Sequence, residues 1–241
     1  MSLDNYTICL HQTSHPGNIG SVARAMKTMG LSDLRLIDCV DHHASDAYAM
    51  ACGADDILFH AQNFTNLNEA FADCHRTYGL SARPRADKRA ILPTTQISRT
   101  LDSFSSTEKI AFLFGNEKHG LDNDSLALCH NQIIIPSNSD YHSLNLSQAV
   151  QIICYLISTH KQSSVNDNDQ PLMNNNTPAT EEKKTAVVDR LEQLLIGSKL
   201  INPQNPLSTL HKIRDILFRA NLQDDEADLL CGIFKSLNKN Q

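Results

Sequence analysis

The sequence predicts an α/β protein: a parallel sheet covered by helices on both faces, followed by a small helical extension. Three observations carry this. Short apolar runs of strand length alternate with helical patterns through the first 160 residues, and such alternation argues for a parallel sheet with two covered faces. The runs IAFLF at 110–114 and III at 133–135 are continuously apolar rather than alternating, as strands buried on both faces are. Beyond residue 182 only helical patterns remain.

In chain order, strands are expected at residues 6–10, 34–37, 57–59, 77–80, 110–114 and 132–135, with helices at 19–29, 46–52, 67–74, 122–129 and 146–160. In the last of these helices Leu146, Ala149, Val150, Ile153 and Ile157 form one apolar face. The composition then breaks. Residues 161–182 (KQSSVNDNDQPLMNNNTPATEE) hold five asparagines, two prolines and no aromatic residue, too little apolar surface to repay ordering. They read as a flexible linker between a domain at 1–160 and an extension at 183–241, spanning roughly 25 Å root-mean-square. In the extension, a helix near 183–196 places Val187, Leu191, Leu194 and Leu195 on one face. A second opens at Asn205-Pro206, a cap followed by proline at the first helical position, and buries Leu210, Ile213 and Leu217. A third begins with Asp224, Asp225 and Glu226, which suit the positive end of the helix dipole, and carries Ala227, Leu230, Cys231 and Phe234.

Composition bounds the function. With 41% hydrophobic and 20% charged residues the chain is neither disordered nor depleted of core. No apolar run approaches the roughly 18 residues that span a bilayer. An acidic residue in MSLDNYTICL stands where a signal peptide carries positive charge, so a cytoplasmic protein is expected. The seven cysteines are scattered without a C-x-x-C pair, and read as small core residues rather than ligands. No histidine spacing suggests a metal site. Tryptophan is absent and aromatics make up 5%, so stacking is not the expected main recognition device. The formal net charge of −6 argues against nucleic acid, yet Arg76, Arg83, Arg85, Lys88 and Arg89 face only one acid, Asp87, in a local cationic strip suited to phosphate contact.

Three polar clusters follow expected strands, where open α/β sheets bind ligands. They are Thr13-Ser14-His15-Pro16-Gly17-Asn18-Ile19-Gly20, then Gly115-Asn116-Glu117-Lys118-His119-Gly120, then Ser143-Leu144-Asn145. Taken singly, each is also ordinary strand-to-helix turn chemistry. Arg24 lies nearly two helical turns beyond Asn18, so both can project towards one edge of the sheet. Neither the dinucleotide nor the nucleoside-triphosphate glycine motif is present.

Together HPGNIGSVARAMKTMGL, FGNEKHGL and IPSNSDYHSLNLSQAVQIICYLI resemble, in order and spacing, the three motifs of the SPOUT RNA methyltransferases. The resemblance is closest to the TrmJ branch, which methylates the tRNA 2′-hydroxyl. It covers residues 5–160, and the tail resembles that branch's helical extension. It implies a deep trefoil knot, homodimers with the active site across the interface, and S-adenosylmethionine bound by Leu80, Ser81, Ala82, Gly115, Ile135, His142, Ser143 and Leu144. The family's threonine before Ser81 is replaced here by Leu80. Arg24 would act beside the partner's cofactor, clamping a phosphate, since an arginine is not deprotonated. Ser143 and Asn145 would orient ribose or cofactor, and Asn18 and Glu117 would brace two loops. RNA contacts would come from Arg24, Arg83, Arg85, Lys88 and Arg89. The expected reaction is 2′-O-methylation of cytidine or uridine at position 32 of the anticodon loop. The alternatives are rRNA or another tRNA position, or a catalytically silent RNA-binding module.

Overall fold

The structure is a computed structural model that describes residues 2–82, 91–138, 140, 143–164, 178–197, 207–220 and 222–238. Seven strands, β1 (Tyr6–His11), β2 (Asp33–Ile37), β3 (Gln62–Phe64), β4 (Arg76–Leu80), β5 (Ile91–Pro93), β6 (Ile110–Phe114) and β7 (Asn131–Ile134), form one sheet in the order β3-β2-β1-β6-β4-β7-β5. Every pairing is parallel. The last two strands are laid between earlier ones: β6 between β1 and β4, and β7 between β4 and β5.

Side-chain alternation explains the continuous apolar runs. Tyr6, Ile8 and Leu10 of β1 and Ile110, Phe112 and Phe114 of β6 enter one core, with α1 (Pro16–Thr28), α2 (Ser45–Ala51), α3 (Asp55–His60), α5 (Ile97–Asp102) and α7 (Leu146–Ser164). Cys9, Ala111 and Leu113 enter the opposite core, with α4 (Leu67–Phe71) and α6 (Asn123–Ala127). Each strand therefore needs apolar residues at consecutive positions. In α7, Leu146, Val150, Ile153, Cys154 and Ile157 are buried, and each such side chain stabilises by about 1.5–3 kcal/mol. Gly20 permits the close approach of α1 to α2, because a Cβ there would overlap the Ala47 backbone.

Two expectations need correction. Residues 57–59 are not a strand but the middle of α3, whose first turn carries Asp55 and Asp56; acids in that position favour a helix start, and a three-residue apolar run cannot decide the type. The strand is β3 beyond it, where Gln62 and Asn63 are exposed at the sheet edge. A second strand not expected from the sequence is β5, the opposite edge, which ends in Pro93. Proline is tolerated on an edge strand, and three residues leave almost no pattern to read.

The cysteines divide by burial. Cys9, Cys74, Cys129 and Cys154 are buried thiols, while Cys52 is exposed.

The tail comprises α8 (Glu181–Gly197), α9 (Leu207–Arg219) and α10 (Asp224–Asn238). The segment expected to be a linker is helical to Ser164 and packed from Pro178 onward: Ala179 N–H donates to the Leu222 carbonyl (2.8 Å) and Glu181 N–H to the Cys74 carbonyl (2.8 Å). Residues 165–177, and the expected cap at Asn205-Pro206, lie outside the described residues. Ala179, Val187, Leu222 and Ala227 make a third small core beneath the tail. Among the described residues no helix is long and apolar enough to cross a membrane.

Candidate active site

The carboxyl ends of β4, β6 and β7 frame a cavity of about 530 Å³, inside the range of small-molecule sites. Its walls come from three places: residues 80–82 at the end of β4, residues 114–120 around the end of β6, and Ile133, Ile135, Ser143, Leu144, Leu146 and Ala149 from β7 and the start of α7. Leu80, Phe114, Ile133, Ile135, Leu144 and Leu146 supply an apolar lining, while Ser81, Asn116, Glu117, Lys118, His119 and Ser143 are the polar members.

The middle loop is tightly closed. Gly120 N–H donates to the Asn116 carbonyl at 2.8 Å, and Gly120 adopts φ +68°, a conformation that favours glycine. At Gly115 a Cβ would collide with the backbone of Gly120 and Leu121. Any side chain there would open the loop that lines the cavity. Asn116 ties this loop to β1, donating from Nδ2 to the Gln12 carbonyl at 2.6 Å.

Glu117 ties it to α1. Its Oε2 accepts from Ser14 N–H (3.0 Å) and Ser14 Oγ (2.9 Å), and its Oε1 accepts from Asn18 Nδ2 (2.8 Å). Burial alone would raise the pKa of this carboxyl. The bonds donated by Asn18 and Ser14 outweigh burial and hold it below the usual carboxylate value. Asn18 and Glu117 thus meet directly, joining the loop after β1 to the loop after β6. Ser14 is a third member of this brace that the sequence reading did not assign; only its place beside Asn18 in the first cluster pointed to it.

Of the residues expected around the cofactor, Leu80, Ser81, Ala82, Gly115, Ile135, Ser143 and Leu144 line the one cavity, and His142 lies outside the described residues. Arg83, Arg85, Lys88 and Arg89 also lie outside them. Asn145 does not line the cavity. Its Oδ1 accepts from Ser147 N–H (2.9 Å) and Ser147 Oγ (2.8 Å), and its N–H donates to Gln148 Oε1 (3.2 Å). This is the reciprocal cap of a helix start, and it fixes where α7 begins beneath Ser143 and Leu144. Arg24 does not line the cavity of its own chain either. It stands exposed on α1, with Nη1 3.6 Å from Cys52 Sγ. Phe114, Asn116, Lys118, His119, Gly120, Ile133, Leu146 and Ala149 line the cavity without having been assigned a role; all but Ile133 and Ala149 sit inside or directly beside the polar clusters.

A parallel α/β sheet with this three-loop cavity defines a SpoU-type methylase. Residues 5–155 match the family described as SpoU rRNA Methylase, and the chain belongs to that family. More particularly, it is 36% identical over 246 residues to the tRNA (cytidine/uridine-2′-O-)-methyltransferase TrmJ of Cronobacter sakazakii, covering 99% of this chain and 98% of the relative. The enzyme of that name from Klebsiella pneumoniae is 35% identical over 244 residues, with 98% of each chain covered. The crystal structure of TrmJ from Z. mobilis ZM4 superposes with a TM-score of 0.82 at 30% identity, covering 96% of this chain and 98% of that one.

Proposed function

We propose that the protein is an S-adenosylmethionine-dependent tRNA methyltransferase acting on a ribose 2′-hydroxyl, at a cytidine or uridine at position 32 of the anticodon loop. The observation that carries this reading is the cavity shared by the ends of β4, β6 and β7, where residues of the second and third motifs line one space and Glu117 ties it to the first motif through Ser14 and Asn18, in a chain matched nearly end to end by relatives named for 2′-O-methylation of cytidine or uridine in tRNA.

The cavity fits such a cofactor. Its volume suits a nucleoside of that size, its apolar lining suits a purine face, and Gly115 leaves backbone rather than side chain at the wall. Leu80, Ser81 and Ala82, Gly115, Ile135, and His142, Ser143 and Leu144 would hold it. When bound, S-adenosylmethionine supplies a methyl group on a sulfonium that departs as a neutral thioether. The protein's task is alignment, because in-line displacement requires the 2′-oxygen opposite the breaking carbon–sulfur bond. As the oxygen–carbon bond forms, the hydroxyl proton passes to a neighbouring phosphate or to water. Arg24, permanently charged, clamps that phosphate beside the partner's cavity, an arrangement that requires a homodimer. Ser143 orients the ribose, and Asn145 acts by fixing the start of α7. The Asn18–Glu117 brace holds the two loops in register. Arg83, Arg85, Lys88 and Arg89 contribute backbone contacts to RNA. The later insertion of β6 and β7 between earlier strands supports the deep trefoil knot of the fold. The chain divides into a domain that closes with α7 and a helical extension that opens with Pro178 and α8.

The family's description as rRNA methylases favours one second reading, in which the substrate is ribosomal RNA. Labelled methyl transfer from S-adenosylmethionine to tRNA, rRNA and no RNA, followed by nucleoside analysis, separates the two. A 2′-O-methylated pyrimidine nucleoside in tRNA alone is expected. Label in rRNA alone would move the substrate, and label in neither, with cofactor bound, would leave a silent RNA-binding module.

A further inference from the structure

Among its described lining residues the cavity carries one basic side chain, and no described residue pairs with it. Among the described lining residues Lys118 is the only lysine or arginine, and it is exposed at the mouth. Its neighbour Glu117 is not its partner, since that carboxylate is turned to Ser14 and Asn18. Among the described residues none pairs with the Lys118 ammonium. The backbone beneath it is fixed: Lys118 N–H donates to Asn116 Oδ1 at 2.9 Å, Asn116 Nδ2 is anchored on Gln12, and Gly115 is pressed against Gly120. A rigid loop thus presents a free ammonium at the rim, above an apolar floor.

The position selects the ligand group. An ammonium at the solvent-exposed mouth gains nothing from a ligand's apolar ring on the floor. It meets the anionic part of whatever closes over the mouth last. For a ribose 2′-hydroxyl presented to the cavity, that part is the adjoining phosphodiester. We propose that Lys118 binds the RNA phosphodiester next to the methylated nucleotide and thereby positions its 2′-hydroxyl over the cavity. The proposal rests on the reading of the protein as an RNA methyltransferase. Neutralising that phosphate also reduces the local negative field that opposes loss of the hydroxyl proton.

The test compares wild type, Lys118→Ala and Lys118→Arg as full-length protein, in tRNA binding at several salt concentrations, in steady-state transfer, and in S-adenosylmethionine binding by equilibrium dialysis. For Lys118→Ala the tRNA KM is expected to rise about tenfold and the salt slope of tRNA binding to fall by about one, with cofactor affinity unchanged. Lys118→Arg is expected to recover most of both and controls for folding. An equal loss of cofactor affinity overturns the proposal, because the ammonium would then hold the cofactor's carboxylate. An unchanged KM and salt slope also overturn it. Wild-type protein that binds tRNA but transfers no methyl removes only the underlying reading, since the slope is read without turnover. Wild-type protein that binds no RNA removes both.

Discussion

Glu117 and Arg24, the two charged residues that the motifs made most prominent, have opposite relations to the cavity. Glu117 lines it, yet both its oxygens are spent on Ser14 and Asn18. Its depressed pKa means that this brace is complete above the ordinary carboxylate value and is lost only as pH falls through the lower folded one. Arg24 lies outside the cavity of its own chain, and among the described residues no carboxylate neutralises it. Arg24→Ala is therefore expected to lower methyl transfer by about a hundredfold or more, the cost of a misplaced reacting group, while cofactor affinity in equilibrium dialysis stays at the wild-type value. Arg24→Lys is expected to rescue poorly, because an ammonium does not reproduce the planar fork of a guanidinium. Loss of cofactor binding in parallel with transfer would place Arg24 in the cofactor's grip instead. Most cavity residues were legible because they lie in contiguous motifs at strand ends. What Asn145 does was not, since asparagine before a helix serves equally as ligand or cap, and only the bonds to Ser147 and Gln148 distinguish these.

At the scale of elements, the long segments were readable and the short edges were not. Strands β1 and β6, buried on both faces, announce themselves as largely apolar runs. Edge strands β3 and β5, three residues each, do not. Nor was the docking of α8 legible, because its central residue is a charge. Lys184 is fully buried and donates to Glu181 Oε1 (3.0 Å) and to the His75 carbonyl (3.0 Å). His130 accepts Thr77 N–H at Nδ1 (3.1 Å), and its Nε2 lies 3.1 Å from Lys184 Nζ and 3.2 Å from Glu181 Oε1. His75 likewise accepts Lys109 N–H at Nδ1 (2.9 Å). Lys184→Met strands the buried Glu181 carboxyl, and is expected to cost about 3–5 kcal/mol in urea unfolding. Adding Glu181→Leu should return most of that. Burial, then the charges of Lys184 and Arg76, push the pKa of His75 below its ordinary value. The unfolded chain therefore takes up a proton below about pH 6.5 that the folded chain refuses. The melting temperature is expected to fall as pH drops through that value, and a flat profile would mean that His75 takes up its proton equally in the folded and the unfolded chain.

On the scale of the whole molecule, the sheet separates two polar regions. Lys184 meets the start of β4 at His75, whereas the cavity opens at its far end beyond Leu80, about 17 Å away at 3.3 Å per residue. A tail docked at the base of the sheet does not build the cavity of its own chain, so any effect it has on turnover must pass through RNA or through a second subunit. On α9, Lys212 and Arg219 are exposed, with half-buried Asp215 between them on the same face, on a chain of net charge −6. Removing everything after Gln162 is a poor test, because it also uncovers the Cys74 carbonyl and the partners of Lys184. The better variant is Lys212→Glu with Arg219→Glu, which reverses two exposed charges and leaves α8 clamped. It is expected to weaken tRNA binding by about tenfold or more and to flatten its salt dependence, with melting temperature and cofactor affinity unchanged. Wild-type tRNA affinity in that variant would reduce α9 to a packing element. On the proposed reading, the RNA would then be held from the cavity side alone.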